Sequence, residues 1–263
     1  MNEGLIARNP LKIALLSTHG DPFLGYHLQN LLGRELDVCA VIMDSKGASA
    51  RDLRIHEERT AGRMPIIPLE NFEEKRVPFY LVKNHSSKDT AALVAHLDID
   101  ILVNAGTPRI LKQPILLAPK IGVISCHPGL LPQFRGCTCV EWAIFLDEAV
   151  GNTVHLMSEG IDEGQIVAQQ QLSFKKSDRY VDVRVKVYQA GLSLIATTID
   201  SLNKGLITPS DFTVQSEGRY FKPIDEVKLK TVVDKLEKGQ YLFQTEEDSP
   251  LEQITGIAPL THR

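Results

Sequence analysis

The first half of the chain sets short apolar runs between stretches of helical periodicity. Residues 12–17, 38–43, 101–104 and 122–126 are nearly uninterrupted apolar runs, the pattern of strands buried on both faces, and 79–82 predicts a further short strand. Leu24, Leu28, Leu31 and Leu32 recur at helical spacing between an Asp21-Pro22 start signal and Gly33. Further helices are predicted over 48–60 and 88–97, the second closed by Asp98-Ile99-Asp100. Strand and helix in this rhythm predict an α/β fold, a mostly parallel sheet covered by helices on both faces. Ligands are then expected at the carboxyl ends of the strands.

After residue 150 the pattern changes. Residues 151–157 and 164–174 predict two strands joined by a tight loop around Gly160-Ile161-Asp162. A long helix follows, with Val181, Val185, Tyr188, Leu192, Ile195, Ile199 and Leu202 at spacings of four and three. That stripe is most simply core packing; a homodimer seam is the alternative. Residues 205–218 are rich in turn formers and read as a linker, and a short helix is predicted over 224–236. The expected organisation is a Rossmann-like main domain, 1–205, with a small C-terminal extension, 206–263. The extension is too short for its own core and should dock on the main domain.

Composition narrows the function classes. The 263 residues carry a formal net charge of -4, which disfavours a nucleic-acid binder working through a broad basic face. No apolar run is long enough to cross a bilayer, and residues 1–10 lack the apolar core of a secretory signal. Four cysteines at irregular positions argue against a disulfide framework and for a reducing, cytoplasmic setting. The phosphate-loop and dinucleotide glycine motifs are absent, and His56-Glu57-Glu58-Arg59-Thr60 lacks the second histidine of a zinc helix. Cys137-Thr138-Cys139 has no second ligand cluster to pair with, so small thiols beside a site fit better than a metal.

The informative stretch is 125–136, Ser-Cys-His-Pro-Gly-Leu-Leu-Pro-Gln-Phe-Arg-Gly. It puts His127 at the carboxyl end of a buried strand, followed by a loop that can continue neither strand nor helix. Ser125 lies two residues earlier and shares its face if the strand persists. Two readings stand for His127, a loop-capping histidine or a catalytic one. Two stand for Asp162, a turn former or a carboxylate that biases the protonation of His127.

His-Pro-Gly-Leu-Leu-Pro (127–132), Arg-Gly (135–136), Trp-Ala-Ile (142–144), Thr-Val-His (153–155) and Asp-x-Gly-Gln-Ile (162–166) follow one another in order. Together with 104–111 before them, they resemble the folate-dependent formyltransferases over residues 12–205. The resemblance implies transfer of a formyl group from 10-formyltetrahydrofolate to an amine. It implies catalytic roles for His127 and Asp162. Where the family carries an asparagine two residues before the histidine, this chain has Ser125, whose hydroxyl donates from a shorter side chain. The folate is expected between the segment holding Asn104, Arg109, Ile110 and Leu111 and the loop holding Met157, Ser158, Glu159 and Gly160, read largely through the backbone.

The resemblance also bears on the acceptor. The loop 17–22 lacks the glycine/serine-rich phosphate loop of glycinamide ribonucleotide enzymes, and the tail is smaller than the tRNA-gripping domain of methionyl-tRNA enzymes. A small amine is expected, such as a nucleotide-linked amino sugar or an amino-acid-derived metabolite. A formyltetrahydrofolate hydrolase and a non-catalytic folate binder remain as alternatives.

Overall fold

The computed structural model describes residues 9–246. β1 (Ile13–Thr18) lies at the middle of the sheet, with all six residues buried. α1 (Leu24–Leu32), β2 (Val38–Asp44), α2 (Ala50–Thr60) and β3 (Phe79–Val82) carry the chain to one edge. α3 (Lys88–His96) brings it back to β4 (Ile101–Asn104) on the other side of β1, and β5 (Gly122–His127) follows. The short β6 (Arg135–Gly136) and α4 (Cys139–Phe145) precede β7 (Val150–Leu156) and β8 (Ile166–Leu172). After β9 (Phe174–Lys175) come α5 (Tyr180–Asn203), β10 (Tyr220–Phe221), α6 (Glu226–Glu237) and β11 (Gln244–Thr245).

The seven-stranded sheet has the order β3-β2-β1-β4-β5-β7-β8. It is parallel from β3 to β5, and β7 and β8 are antiparallel additions. The winding reverses between β1 and β4, where diverging connections open a crevice at the carboxyl ends of the strands. Asp21 borders that place. It precedes α1 and accepts N–H bonds from Phe23 (2.8 Å) and Leu24 (3.0 Å) through Oδ1, so the helix starts later than its Asp-Pro signal. Gly106 faces it with φ +111°, and a Cβ there would lie 1.9 Å from Asp21 Oδ2.

Several expectations change in detail. The connection from β7 to β8 takes residues 157–165 rather than a tight turn, and the β7–β8 register shifts between Val154 and His155. α4 has seven residues, too short to declare a period, and begins after Thr138 at φ +49°. The α5 stripe is correct in its C-terminal half. In the N-terminal half Val183 and Val187 are the buried residues rather than Val181 and Val185. Ile195, Ile199 and Leu202 join Ile13, Val103 and Ile124 in the main core, so this chain's own sheet fills the stripe.

Residues 205–218 are more than a linker. Thr213 bridges Ile166, and Gln215 Nε2 donates to the carbonyl oxygens of Asp162 and Gly164. The following segment docks by pairing β10 with β6 and β11 with β9. Val232 and Leu236 of α6 and Tyr241 pack with Phe134, Ile144 and Val183 in a second core. Each such aliphatic burial contributes roughly 1.5–3 kcal/mol. The part of the proposed extension beyond residue 246 lies outside the described residues.

Candidate active site

β5 persists to His127, so Ser125 and His127 do share one strand face. The chain then turns back through Pro128-Gly129, and His127 Nε2 donates to the Phe134 carbonyl oxygen at 2.7 Å. A carbonyl only accepts, so this bond fixes the proton on Nε2. Gly129 makes room for it: a Cβ there would sit 2.7 Å from His127 Nε2 and 2.9 Å from Phe134 O. The other ring nitrogen, Nδ1, stands 3.4 Å from Asp162 Oδ2.

Asp162 has φ +56° and is pinned from two sides. Gly136 N–H donates to Oδ2 at 2.8 Å, and Gln215 holds its backbone carbonyl. A second imidazole faces it. His155 Nδ1 donates to the Leu156 carbonyl oxygen (2.9 Å), leaving Nε2 3.8 Å from Asp162 Oδ1. His155 sits opposite Ser125 in the β5–β7 ladder, so its place within Thr-Val-His, two positions from Thr153, was the available sequence signal.

Burial pushes the pKa of His127 below its ordinary value, outweighing the opposite pull of Asp162 and of the Phe134 carbonyl. The expected upward bias from Asp162 is present but does not win. Burial lowers His155 as well. Near neutral pH two imidazoles therefore aim lone pairs at one carboxylate. A proton arriving on His127 Nδ1 is held by Asp162 and, because burial disfavours the charged ring, readily released.

A cavity of about 250 Å³ opens at the carboxyl ends of β4 and β5, under α1 and α5 and lined by the neighbours of His127 in the chain, Cys126 and Pro128. Phe23 and His27 of α1, Tyr188 and Leu192 of α5, Ser125 and Asn104 are among its walls, and no charged side chain lines it. Neither His127 nor Asp162 is part of the lining. Sequence reasoning missed the aromatic walls because their helical spacing is also that of core residues. Burial lowers His27 to about 4, and its Nδ1 has no hydrogen-bond partner.

At the strand ends Asn104 Nδ2 donates to Ser125 Oγ at 3.2 Å. Asn104 Oδ1 accepts from the N–H groups of Gly106 (3.3 Å) and Thr107 (3.1 Å). Among the described residues no group of three or more His, Cys, Asp or Glu could hold a metal, and Cys137 is exposed while Cys139 is buried.

Of the two segments expected to flank a folate, one contributes Leu111 and the other Met157 to a single apolar cluster, and Met157 N–H donates to the Val123 carbonyl oxygen at 2.7 Å. Arg109 is turned away: its guanidinium grips Asp44 through Nε (2.9 Å) and Nη2 (2.8 Å). Leu111 is buried, whereas Ile110 is 76 % and Ile161 54 % exposed. Ser158 bonds to the Gly160 carbonyl oxygen and Glu159 is exposed. Exposed aliphatic side chains over two irregular backbones fit a flat heterocycle read through main-chain groups.

The fold is that of formyltransferases of known structure. A sugar N-formyltransferase from Shewanella superposes with TM-score 0.56 at 17% identity, covering 86% of this chain and 87% of that one. A phosphoribosylglycinamide formyltransferase from Streptococcus pneumoniae gives TM-score 0.55 at 20% identity, covering 73% and 98%. Residues 11–199 match the formyl transferase family, and the chain belongs to it. Among curated relatives, the methionyl-tRNA formyltransferase of Thermodesulfovibrio yellowstonii is 38% identical over 106 residues, 40% of this chain and 34% of the relative. That of Pseudoalteromonas translucida is 26% identical over 201 residues, 76% and 60% of the respective lengths. The chain thus spans about a third to three fifths of the length of these relatives. Among the described residues no helix is long and apolar enough to cross a membrane.

Proposed function

We propose that the chain is an N-formyltransferase that takes its formyl group from 10-formyltetrahydrofolate and gives it to a small primary amine. The donor supplies an activated formyl group: a bond from the amine nitrogen to the formyl carbon forms, the bond to folate N10 breaks, and a proton lost by the amine ends on N10. His127 Nδ1 is the group that takes and returns that proton, and Asp162 stabilises it while it is there. The carrying observation is that pair: Nδ1 at 3.4 Å from Asp162 Oδ2, with Nε2 locked on Phe134. Segments 104–111 and 157–162 would hold the folate.

The cavity at the carboxyl ends of β4 and β5, which Ser125 and the chain neighbours of His127 help to line, would receive the amine. Its walls carry no charged side chain, and Asp21 already occupies the first amides of α1. A phosphate would find neither a cation in the cavity nor a free helix terminus there. The amine-bearing end of the acceptor is therefore uncharged apart from the amine, and any nucleotide stays outside. Four free cysteines support the cytoplasm as its setting.

The test is to incubate purified protein with 10-formyltetrahydrofolate, with and without a panel of small primary amines. The expected result is tetrahydrofolate formation that depends on one class of amine. Equal formate release with and without amine would make the protein a hydrolase. Folate binding with no turnover would make it a non-catalytic binder.

A further inference from the structure

Formyl transfer builds negative charge on the carbonyl oxygen, and such reactions depend on hydrogen-bond donors fixed in advance where that charge grows. The structure restricts which groups can do this. The Nε2 proton of His127 is spent on Phe134, and its Nδ1 faces a carboxylate. The Thr107 hydroxyl is bonded to His85 at 2.6 Å, and the Asn152 amide lies with Cys126 against Gly191 of α5, on the sheet face opposite the His127 side chain. His27 belongs to α1 and Tyr188 to α5, so neither comes from β4 or β5, the strands that carry Asn104 and His127.

Asn104 and Ser125 remain. β4 and β5 pair with Val103 opposite Ile124, so Asn104 and Ser125 lie side by side one step further on, at the end that lines the cavity. The carboxamide has only one orientation that works. Its oxygen accepts from Gly106 and Thr107, which turns the NH2 toward Ser125. One N–H goes to Ser125 Oγ, and the other is left to donate. Because Ser125 Oγ accepts from Asn104, its own O–H is free to donate and is polarised in the favourable sense.

We infer that Asn104 and Ser125 together form the donor pair for the formyl oxygen, with β4 supplying the amide that β5 lacks. The inference rests on the formyl-transfer reading above. It gives Asn104 a part in the chemistry beyond marking where the folate lies, and it explains why a short serine suffices at 125. The pair replaces the reach of one long side chain by two short ones from neighbouring strands.

The experiment uses the full chain and a 10-formyl-5,8-dideazafolate carrying ¹³C in the formyl group. Isotope-edited infrared spectra of the bound label report hydrogen bonding to its carbonyl without any acceptor amine. Asn104→Asp keeps the acceptor oxygen for Gly106 and Thr107 but removes the NH2, so the loop stays anchored. The label should absorb at lower frequency in the wild type than in Asn104→Asp or Ser125→Ala. It should return toward the wild-type frequency in the Asn104→Ala/Ser125→Asn double variant. In parallel kcat should fall by about 10²–10³-fold in either single variant, as for loss of one such donor, with KM for the donor little changed. Recovery in the double variant separates a donor from a mere loop anchor, which an amide on β5 could not replace.

An identical carbonyl frequency in the wild type and both single variants, while His127→Ala still abolishes turnover, overturns the inference and leaves the formyl-transfer reading standing. A double variant no better than Asn104→Ala also overturns it. Absence of both bound label and turnover in the wild type overturns the reading, and the inference with it.

Discussion

Two carboxylates, buried Asp44 and half-buried Asp162, each face a histidine, and they do opposite work. Asp44, at the end of β2, is saturated. Arg109 holds both of its oxygens, and the N–H groups of Lys46 (2.8 Å) and His85 (3.0 Å) add two more bonds. His85 is equally occupied, with Nδ1 on Thr107 and Nε2 on the Ile42 carbonyl oxygen. Asp162 has one backbone N–H on its carboxylate and two imidazole nitrogens facing it at 3.4 and 3.8 Å. A carboxylate whose charge is fully answered can only brace. One answered in part leaves the imidazole beside it free to take up a proton. The first cluster therefore anchors Thr107 and Arg109, and with them the 104–111 loop, while the second leaves His127 Nδ1 facing a carboxylate.

The sharpest way to break this comparison is to remove the proton holder. His127→Ala and Asp162→Asn should each lower turnover by roughly 10²–10⁴-fold, the range for a positioned general acid or base. His127→Ala gives up one buried hydrogen bond, about 1 kcal/mol, so Tm should fall by only about 2–4 °C. Steady-state kinetics and a thermal melt on the same preparations check both numbers. A folded His127→Ala protein with wild-type turnover would put the two clusters in the same structural class.

The converse is expected of the bracing cluster. Burial alone would raise the Asp44 carboxyl, but the Arg109 guanidinium and the two backbone N–H groups outweigh it and hold its pKa at about 2. A carboxylate depressed in the folded state stabilises the fold above its unfolded value, near 3.9. That contribution is lost as pH falls through the folded value. Arg109→Ala should therefore lower Tm more than His127→Ala does and start acid unfolding at a higher pH. Its kcat should change little, whereas KM for the formyl donor should rise because the 104–111 loop loses its anchor. Acid titration followed by circular dichroism, with donor KM, tests this.

These two clusters also mark the limit of what the residues alone disclose. The parallel half was legible because its inner strands are apolar without interruption, so 101–104 coincides with β4; 79–82 is apolar too, yet β3 is the edge strand and leaves Phe79 and Leu81 exposed. His127 and Asp162 stood out because a polar residue at a strand end and one in a glycine-flanked loop break such patterns. The bond from Asn104 to Ser125 was not legible, since it depends on β4 and β5 being neighbours with Val103 opposite Ile124. Nor did any local rule show that Arg109 would turn to Asp44, 65 positions away in sequence. Residues 205–218 looked like a linker because turn formers say where the chain bends and not what it bends onto. In this case Gln215 reaches the Asp162 loop.

The finest test of the comparison is the acid limb of the rate profile. Burial lowers the pKa of His127, and the Asp162 charge opposes that shift. A neutral His127 is the proton-accepting form, so kcat should hold constant downward through the ordinary imidazole range near 6.5 and fall only at lower pH. Removing the opposing charge in Asp162→Asn should move the limb of the residual activity further toward acid. Two neighbours could imitate this limb. His155 faces the same carboxylate and is also lowered by burial, and Asp21, raised by burial to about 6, lies against Gly106 near the cavity. His155→Gln and Asp21→Asn separate them: each should leave the limb within a few tenths of a pH unit, whereas Asp162→Asn should shift it. A limb that disappears in Asp21→Asn would assign the titration to the crevice wall. A limb that moves upward in Asp162→Asn would mean that the carboxylate disfavours the proton it faces.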